Sequence, residues 1–337
     1  RQRLLASLTT SGVPSAVAPA LVIRLAESLA AESPPPPAEA AAAALAAVLD
    51  IERPFHESWN GPIFRESAAA RDYAAADRAL QEAGTRLQRL VRPDRFHPAY
   101  AATPEGMVLV PGATYKVGGD MGWDLDTERT RKTFDLAFRS FYIDRAEVSN
   151  GRYKRFLDSL PPAEALKHLP ATWPRNPNEP PAPPPGREGH PVSGVTLEDA
   201  LAFAAWAGCR LPTEDEWALA ARGPQGFLYS WGNVWDASRC NHLGSGLNQP
   251  TPTGTFPTDL SPFGCLDMAG NVSEWTASFP DGRPVARLRE NANVILRGGS
   301  FRRPGSKESV AWRWAYPALT TREADIGFRC AKDAPER

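Results

Sequence analysis

The sequence has little of what would announce a chemistry by itself. Its four cysteines, Cys209, Cys240, Cys265 and Cys330, are spread along a 337-residue chain. They are too few and too scattered for a disulfide scaffold, and they form no CxxC or Cys/His spacing of the kind that holds zinc. They read as reduced thiols in a cytoplasmic setting. No apolar run reaches the ~18 residues a spanning helix needs, so no membrane partner is expected. The alanine-rich start also lacks the charged, apolar and cleavage-site succession of a signal peptide. Charge of one sign is missing too: 38 Lys and Arg stand against 39 Asp and Glu, a formal net charge of -1. Nucleic acid and anionic membrane therefore exert no global pull on the chain, and any recognition by charge must be local.

What is present is an ordinary globular balance, 42% apolar and 23% charged residues, in a chain long enough for two domains. Residues 1–103 are rich in Ala, Leu, Arg and Glu and read as a small helical region or linker. Its candidate helices are Ala16 to Ala31, Ala38 to Asp50 and Glu66 to Val91. The last carries Tyr73, Ala76, Leu80, Ala83, Leu87 and Leu90 at three- and four-residue spacing. Pro34 to Pro37 form a stiff connector between the first two. Such helices suit a spacer, a coat on the following domain, or assembly of the protein with itself or others. Arg1 in place of Met, with periodicity under way by Leu4, is what a piece of a longer chain or a processed product shows.

The texture changes over residues 104–337, where glycines, tryptophans and short alternating segments replace the alanine helices. Met107 to Gly119 and Phe134 to Ser149 read as strands, the second alternating Phe134, Leu136, Phe138. Ser149 caps a predicted helix with Tyr153, Phe156, Leu157 and Leu160 on one face. Thr196 with Asp199 opens another helix, stopping at Gly208. Thr213 with Glu216 forms a capping box that opens a third, stopping near Gly223. The prolines from Pro170 to Pro185 exclude regular structure there. Early helices surrounded by strands indicate α+β and not a parallel βαβ repeat.

Seven motifs stand in order along this part: MVLVPG, FYIDRAEVSNGRYKRFL, HPVSGVTLEDALAFAAWAGCRLPTEDEWALAARG, YSWGN, PFGCLDMAGNVSEW, LRGGSF and IGFRC. In residues, order and spacing they resemble the formylglycine-generating-enzyme (sulfatase-modifying factor) family. The resemblance implies an irregular, C-type-lectin-like α+β domain. Its known members range from copper-dependent cysteine oxidases and iron-dependent sulfoxide synthases to noncatalytic modules and retroelement-diversified binding proteins. The function must come from the site.

The oxidase members place two cysteines shortly after RGGS, where soft thiolates hold copper(I). Here RGGS is followed by Phe301, Arg302, Arg303, Pro304, Gly305, Ser306, Lys307, Glu308 and Ser309, with no cysteine. Formylglycine formation is therefore not expected, and neither is a redox metal. The sulfoxide-synthase plan needs a helical HxxxHxE, whereas the first region offers only His56 and His97, far apart. His190 reads as a hydrogen-bonded loop histidine. For calcium, the resemblance implies side chains of Asp267 and Glu274 with the main-chain carbonyls of Gly270 and Val272, hard oxygen donors on a glycine-bearing turn. A second, weaker site would use Asn241 and His242, but its acidic partner is replaced near Ser245.

The segment Arg297 to Arg329 gathers Arg297, Arg302, Arg303, Arg313, Arg322 and Arg329 among Trp312, Trp314 and Tyr316. Arginine beside aromatic faces makes a groove for an acidic or peptide-like ligand. Alternating WRW is equally what a strand shows when it sends indoles into a core and guanidiniums outward. The expectation is a noncatalytic recognition module for a protein or peptide, with Arg302, Arg303, Lys307, Trp312 and Arg313 as ligand-binding residues, within a larger signalling, defence or regulatory system. A metal-dependent oxidoreductase and a retroelement-diversified binding protein are the alternatives; the second lacks the excess of Asn, Tyr and Ser positions that adenine mutagenesis leaves.

Overall fold

Three helices begin where a hydroxyl side chain can accept the first free amides. The computed structural model describes residues 103–119, 132–176, 178–224, 226–233, 235–285, 292–305, 310 and 313–335. The helices expected before residue 103 lie outside these. Helix α1 (Asn150–Asp158) starts at Ser149, whose Oγ accepts from Arg152 N at 3.3 Å. After the short α2 (Pro162–Lys167), helices α3 (Leu197–Trp206) and α4 (Glu214–Arg222) each carry a complete capping box, Thr196 with Asp199 and Thr213 with Glu216. Such boxes satisfy two otherwise orphaned amides each. Helix α4 stops at Gly223 with φ 65°, a conformation open to glycine.

The strands are short and fall into three sheets. Strands β1 (Met107–Val110), β4 (Phe141–Asp144) and β9 (Ala331–Asp333) pair antiparallel in the order β1-β4-β9. Strands β2 (Thr114–Gly118) and β3 (Thr133–Ala137) form a separate antiparallel pair. The four-stranded sheet runs β7-β6-β5-β8, from β5 (Ser273–Trp275), β6 (Asn293–Arg297), β7 (Arg313–Pro317) and β8 (Ile326–Gly327). Among the described strands, β5 and β8 alone pair parallel. The two long strands predicted from sequence are each divided: Pro111–Gly112 and Phe138–Ser140 turn the chain between sheets. The alternation across Phe134 and Leu136 holds within β3, and Pro170 to Pro185 contain no helix or strand among the described residues.

Two apolar cores hold these layers. One joins α1 and α3 to the four-stranded sheet through Tyr153, Phe156, Phe203, Trp275 and Phe328, with Tyr153 stacked on Phe203 at 5.6 Å. The other packs α4 against β1 and β4 through Trp217, Leu219, Phe141 and Met268. The interior also holds several buried charged side chains. Glu214 accepts from Arg313 Nε at 2.6 Å and Nη2 at 2.7 Å, and from Arg297 Nη2 at 3.5 Å, with all three side chains buried. Arg329 donates Nε and Nη2 to the two oxygens of Glu274, both at 2.7 Å, and Trp217 Nε1 donates to Glu274 at 2.7 Å. This reverses one expectation: on β7 it is Arg313 that points inward, while Trp314 is half-buried. The cause is Glu214, a buried anion in the first turn of α4 that draws two guanidiniums inside.

Candidate functional site

The turn from Asp267 to Glu274 is built on buried side chains. Asp267 and Asn271 are two of the three described non-glycine residues with positive φ, at 56° and 67°. Asp and Asn tolerate that region best among residues with a Cβ. Asn271 is the hub of the turn. Its amide donates to Glu147 Oε2 at 3.1 Å and to Thr251 O, and its Oδ1 accepts from Thr251 N at 2.9 Å and Asn241 Nδ2 at 3.2 Å. Glu147 also accepts from Val272 N. Asp259 accepts from the Ser230 hydroxyl and from Ala269 N, and Asp267 from Gly254 N.

Four buried carboxylates thus crowd this turn, with Arg329 as their guanidinium partner. Burial, then the neighbouring anions, hold Glu147 well above the usual carboxylate range. Burial lifts Asp259 to about 6, and burial together with Asp259 lifts Asp267 to about 7. Glu147, Asp259 and Asn271 were not singled out from sequence. Glu147 and Asp259 are distant in the chain and sit in no motif of the turn, so only the fold assembles them.

The loop after β6 is a different environment. Ser300 Oγ donates to Asp325 at 2.6 Å and anchors the end of RGGS in the interior. Arg302 is exposed, with its guanidinium 5.5 Å from the centre of the Phe301 ring. Arg303 lies 4.2 Å over Trp314 and 5.7 Å from Tyr316, whose hydroxyl accepts from its Nη2 at 2.7 Å. Its buried Nε has no hydrogen-bond partner. Lys307 and Trp312 lie outside the described residues. Arg313, placed in this groove from sequence, is instead buried on Glu214 and lines no surface; Arg297 and Arg329 are likewise interior, and Arg322 lies 3.1 Å from Asp199. Of the five residues expected to bind a ligand, Arg302 and Arg303 are thus the two that the described residues place on this loop.

Asn241 and His242 form the other side of this loop. Asn241 Nδ2 donates to Gln249 O at 2.9 Å, and its Oδ1 accepts from Ser245 Oγ at 3.0 Å. The His242 ring contacts Ala237 O at 3.1 Å through Nε2 and accepts from Gly244 N through Nδ1, capping a 3-10 turn at Leu243–Ser245. Their side chains are thus spent on shaping the loop. His190 differs from expectation as well: its Nδ1 is buried without a hydrogen bond, and its main chain accepts from Asn150 N at 2.8 Å.

All four cysteines are free thiols. Burial pushes Cys240 and Cys330 well above the ordinary thiol range, Cys265 up to about 11, and Cys209 upward to a lesser degree. Among the described residues no group of three or more His, Cys, Asp or Glu side chains is arranged to hold a metal ion, and no helix is long and apolar enough to cross a membrane.

Short strands in three small sheets, with helices packed on an irregular, loop-rich body, define the α+β architecture of C-type-lectin-like domains. The solved structure of PvdO from Pseudomonas aeruginosa aligns over 67% of this chain and 94% of its own, with a TM-score of 0.51 and 25% identity. Treponema denticola variable protein 1 shares the fold at the same TM-score with 16% identity. Residues 93–334 match the sulfatase-modifying factor enzyme 1-like domain, and the chain belongs to that family. It is 30% identical to the formylglycine-generating enzyme of Thermomonospora curvata over 68% of this chain and 94% of that protein. It is 32% identical to the hercynine oxygenase of Mycolicibacterium smegmatis over 67% of this chain, spanning 61% of that protein. A mouse protein named inactive C-alpha-formylglycine-generating enzyme 2 is 35% identical over 43% of this chain and 49% of its own length.

Proposed function

We propose that this chain is a noncatalytic recognition module that binds a protein or peptide through the surface around Arg302 and Arg303, as part of a larger signalling, defence or regulatory system. The observation that carries this reading is the chemistry of the loop after Ser300. Where oxidase members of the family keep a thiolate pair, this chain sets two guanidiniums, one of them stacked on Trp314 and Tyr316. Guanidinium is a donor and cannot ligate a metal. Burial holds Cys240, Cys265 and Cys330 as neutral thiols, the form that neither binds copper(I) nor attacks a substrate. A relative named as inactive makes a noncatalytic role familiar to the family.

A structural calcium ion belongs to the same reading. The carboxylates of Asp267 and Glu274 and the carbonyls of Gly270 and Val272 are hard donors of the type Ca²⁺ takes. The support is charge: Glu147, Asp259 and Asp267 are buried together, and a divalent cation would relieve the repulsion that lifts Asp267 and Glu147, although Glu274 would first have to give up its pairing with Arg329 and Trp217. Its contribution would be to stiffen the turn beneath the Arg302 loop.

The competing reading is a metal-dependent oxidoreductase, favoured by the 32% identity to a hercynine oxygenase. Metal analysis of the purified full chain separates the two. Calcium alone, together with peptide-library retention that falls on Arg302→Glu while the circular dichroism spectrum is unchanged, supports recognition. Stoichiometric iron or copper supports the enzyme.

A further inference from the structure

We infer that the proline-rich strap from Pro174 to Gly186 is a preformed polyproline II ligand, presented to a partner domain whose groove is lined with aromatic side chains. This goes beyond the recognition reading above, because here the chain is the segment that is read and not the reader.

The local conformation follows from the sequence. Proline fixes its own φ at about −65° and drives the residue before it out of the helical region into extended backbone. Five of the six residues from Glu179 to Pro184 stand directly before a proline. Such a run is left with the extended polyproline II form, and the structure agrees: Pro180 to Pro184 carry no helix, strand or turn. Among the described residues, Pro180, Pro181, Ala182 and Pro183 make no hydrogen bond. A polyproline II helix has none of its own, so its carbonyls stay available to a donor from outside. The run ends in a turn, where Arg187 N donates to Pro184 O at 3.1 Å with Gly186 at φ 74° between them, a conformation that glycine supplies.

One buried side chain ties the strap at both ends. Asn150 Oδ1 accepts from Trp173 Nε1 at 2.9 Å, and Asn150 Nδ2 donates to Arg187 O at 2.9 Å. Trp173 is packed in the core beside Tyr153, their ring centres 6.1 Å apart. Arg187 Nη2 donates to Gln249 Oε1 at 2.6 Å. Between these anchors the hydrogen bonds of the described residues stay local, at Asn176 and at the closing turn. A segment held at its ends and stiffened by its rings has already lost the freedom that a disordered proline-rich ligand gives up on binding.

Burial shows which edges are presented. With three residues per turn, residues three apart share an edge of the helix. Pro183 is buried, whereas Pro181 and Pro184 on a second edge are half-buried, and on the third Ala182 is half-buried and Pro185 exposed. A strap whose only task was to cover the body would turn its prolines inward, yet of those described between Pro174 and Pro185 only Pro183 is buried. Pro181 and Pro184 stand at the PxxP spacing that the aromatic grooves of SH3, WW and EVH1 domains read. From Pro180 to Gly186 there is no charged side chain, so ion pairing cannot hold a partner there. What the strap offers is proline ring faces for aromatic side chains and carbonyls for indole N–H or phenol O–H donors.

The test titrates isotope-labelled SH3, WW and EVH1 domains with the unlabelled full chain and follows the nuclear magnetic resonance signals of their aromatic grooves. The groove signals of at least one domain should shift. The Pro181→Ala/Pro184→Ala variant should bind that domain about tenfold or more weakly, since it loses both rings and regains backbone freedom. Asn150→Ala, which frees both ends of the strap, should weaken binding severalfold, and raising the salt should change it little. Circular dichroism checks that the variants are folded; should Asn150→Ala unfold, the double variant decides, because its two positions reach the surface. No groove shift in any of the domains, equal binding by the folded double variant, or a steep loss of binding with salt overturns the inference.

Discussion

The buried turn at Asp267 to Glu274 and the loop at Phe301 to Gly305 lie close in sequence and treat charge in opposite ways. In the turn and the neighbouring helix α4, buried carboxyl groups are held by interior donors: Glu274 by Arg329 and Trp217, Glu214 by Arg313 and Arg297, Glu147 by Asn271 and Val272 N. In the loop, two cations meet no described carboxylate. Buried charge that is fully hydrogen-bonded specifies a fold, and removing one partner is costly because the other is stranded. Exposed charge contributes little to stability and is free to serve a partner. The contrast suits the first region to architecture and, on the reading proposed above, leaves the second for recognition.

The largest effect should come from breaking the interior. Arg329→Ala strands Glu274, and Glu214→Ala strands two guanidiniums. Each should lower the unfolding free energy by ~3–5 kcal/mol in denaturant titration. A loss near that of a surface salt bridge, ~1 kcal/mol or less, would dissolve the contrast.

Next in size is the pH and calcium response of the turn. Asp259 and Asp267 have folded-state pKa values raised to about 6 and about 7. Burial therefore favours their protonated forms, and that stability is present at low pH and lost as pH rises through those values. The calcium-free protein should show a melting temperature that falls between pH 5 and pH 8 by several degrees, as expected for a few kcal/mol in a domain of this size. Calcium should raise it most at pH 8, where the carboxylates are charged, and Asp267→Asn should abolish that gain. A melting temperature that rises from pH 5 to pH 8 without calcium, or ignores calcium at pH 8, contradicts the account.

Smaller still in stability is Arg302→Glu. It should change the unfolding free energy by no more than ~0.5 kcal/mol, as at other exposed positions, yet remove peptide retention. The smallest effect concerns the thiols: in native protein at pH 8, an alkylating reagent should modify Cys209 slowly and leave Cys240, Cys265 and Cys330 intact, as mass spectrometry would read. Rapid labelling of any of these three would mean that the interior opens.

Much of the fold was legible because its signals are local. Ser149, Thr196 and Thr213 each announce a helix start through a hydroxyl at the right offset, and all three helices begin there. The divided strands were less legible, since a single alternating run does not say that Phe138–Ser140 turns the chain into another sheet. The segment after RGGS was legible only as a run of arginines: exposed Arg302 and buried Arg313 were not distinguishable in the sequence. The fate of Arg313 depends on Glu214, 99 residues away, and no periodicity reports which face of a short strand a distant anion will claim. The hub role of Asn271 was hidden for the same reason: its partners Glu147 and Thr251 belong to other segments.

The proposed recognition role rests on the arginines that follow RGGS, where the family resemblance places the thiolates of oxidase members. It is tested most directly by incubating the full chain with copper(I), oxygen and a cysteine-containing sulfatase peptide, and reading the peptide by mass spectrometry. The account predicts that the thiol is recovered unchanged; appearance of the aldehyde above the protein-free control would contradict it.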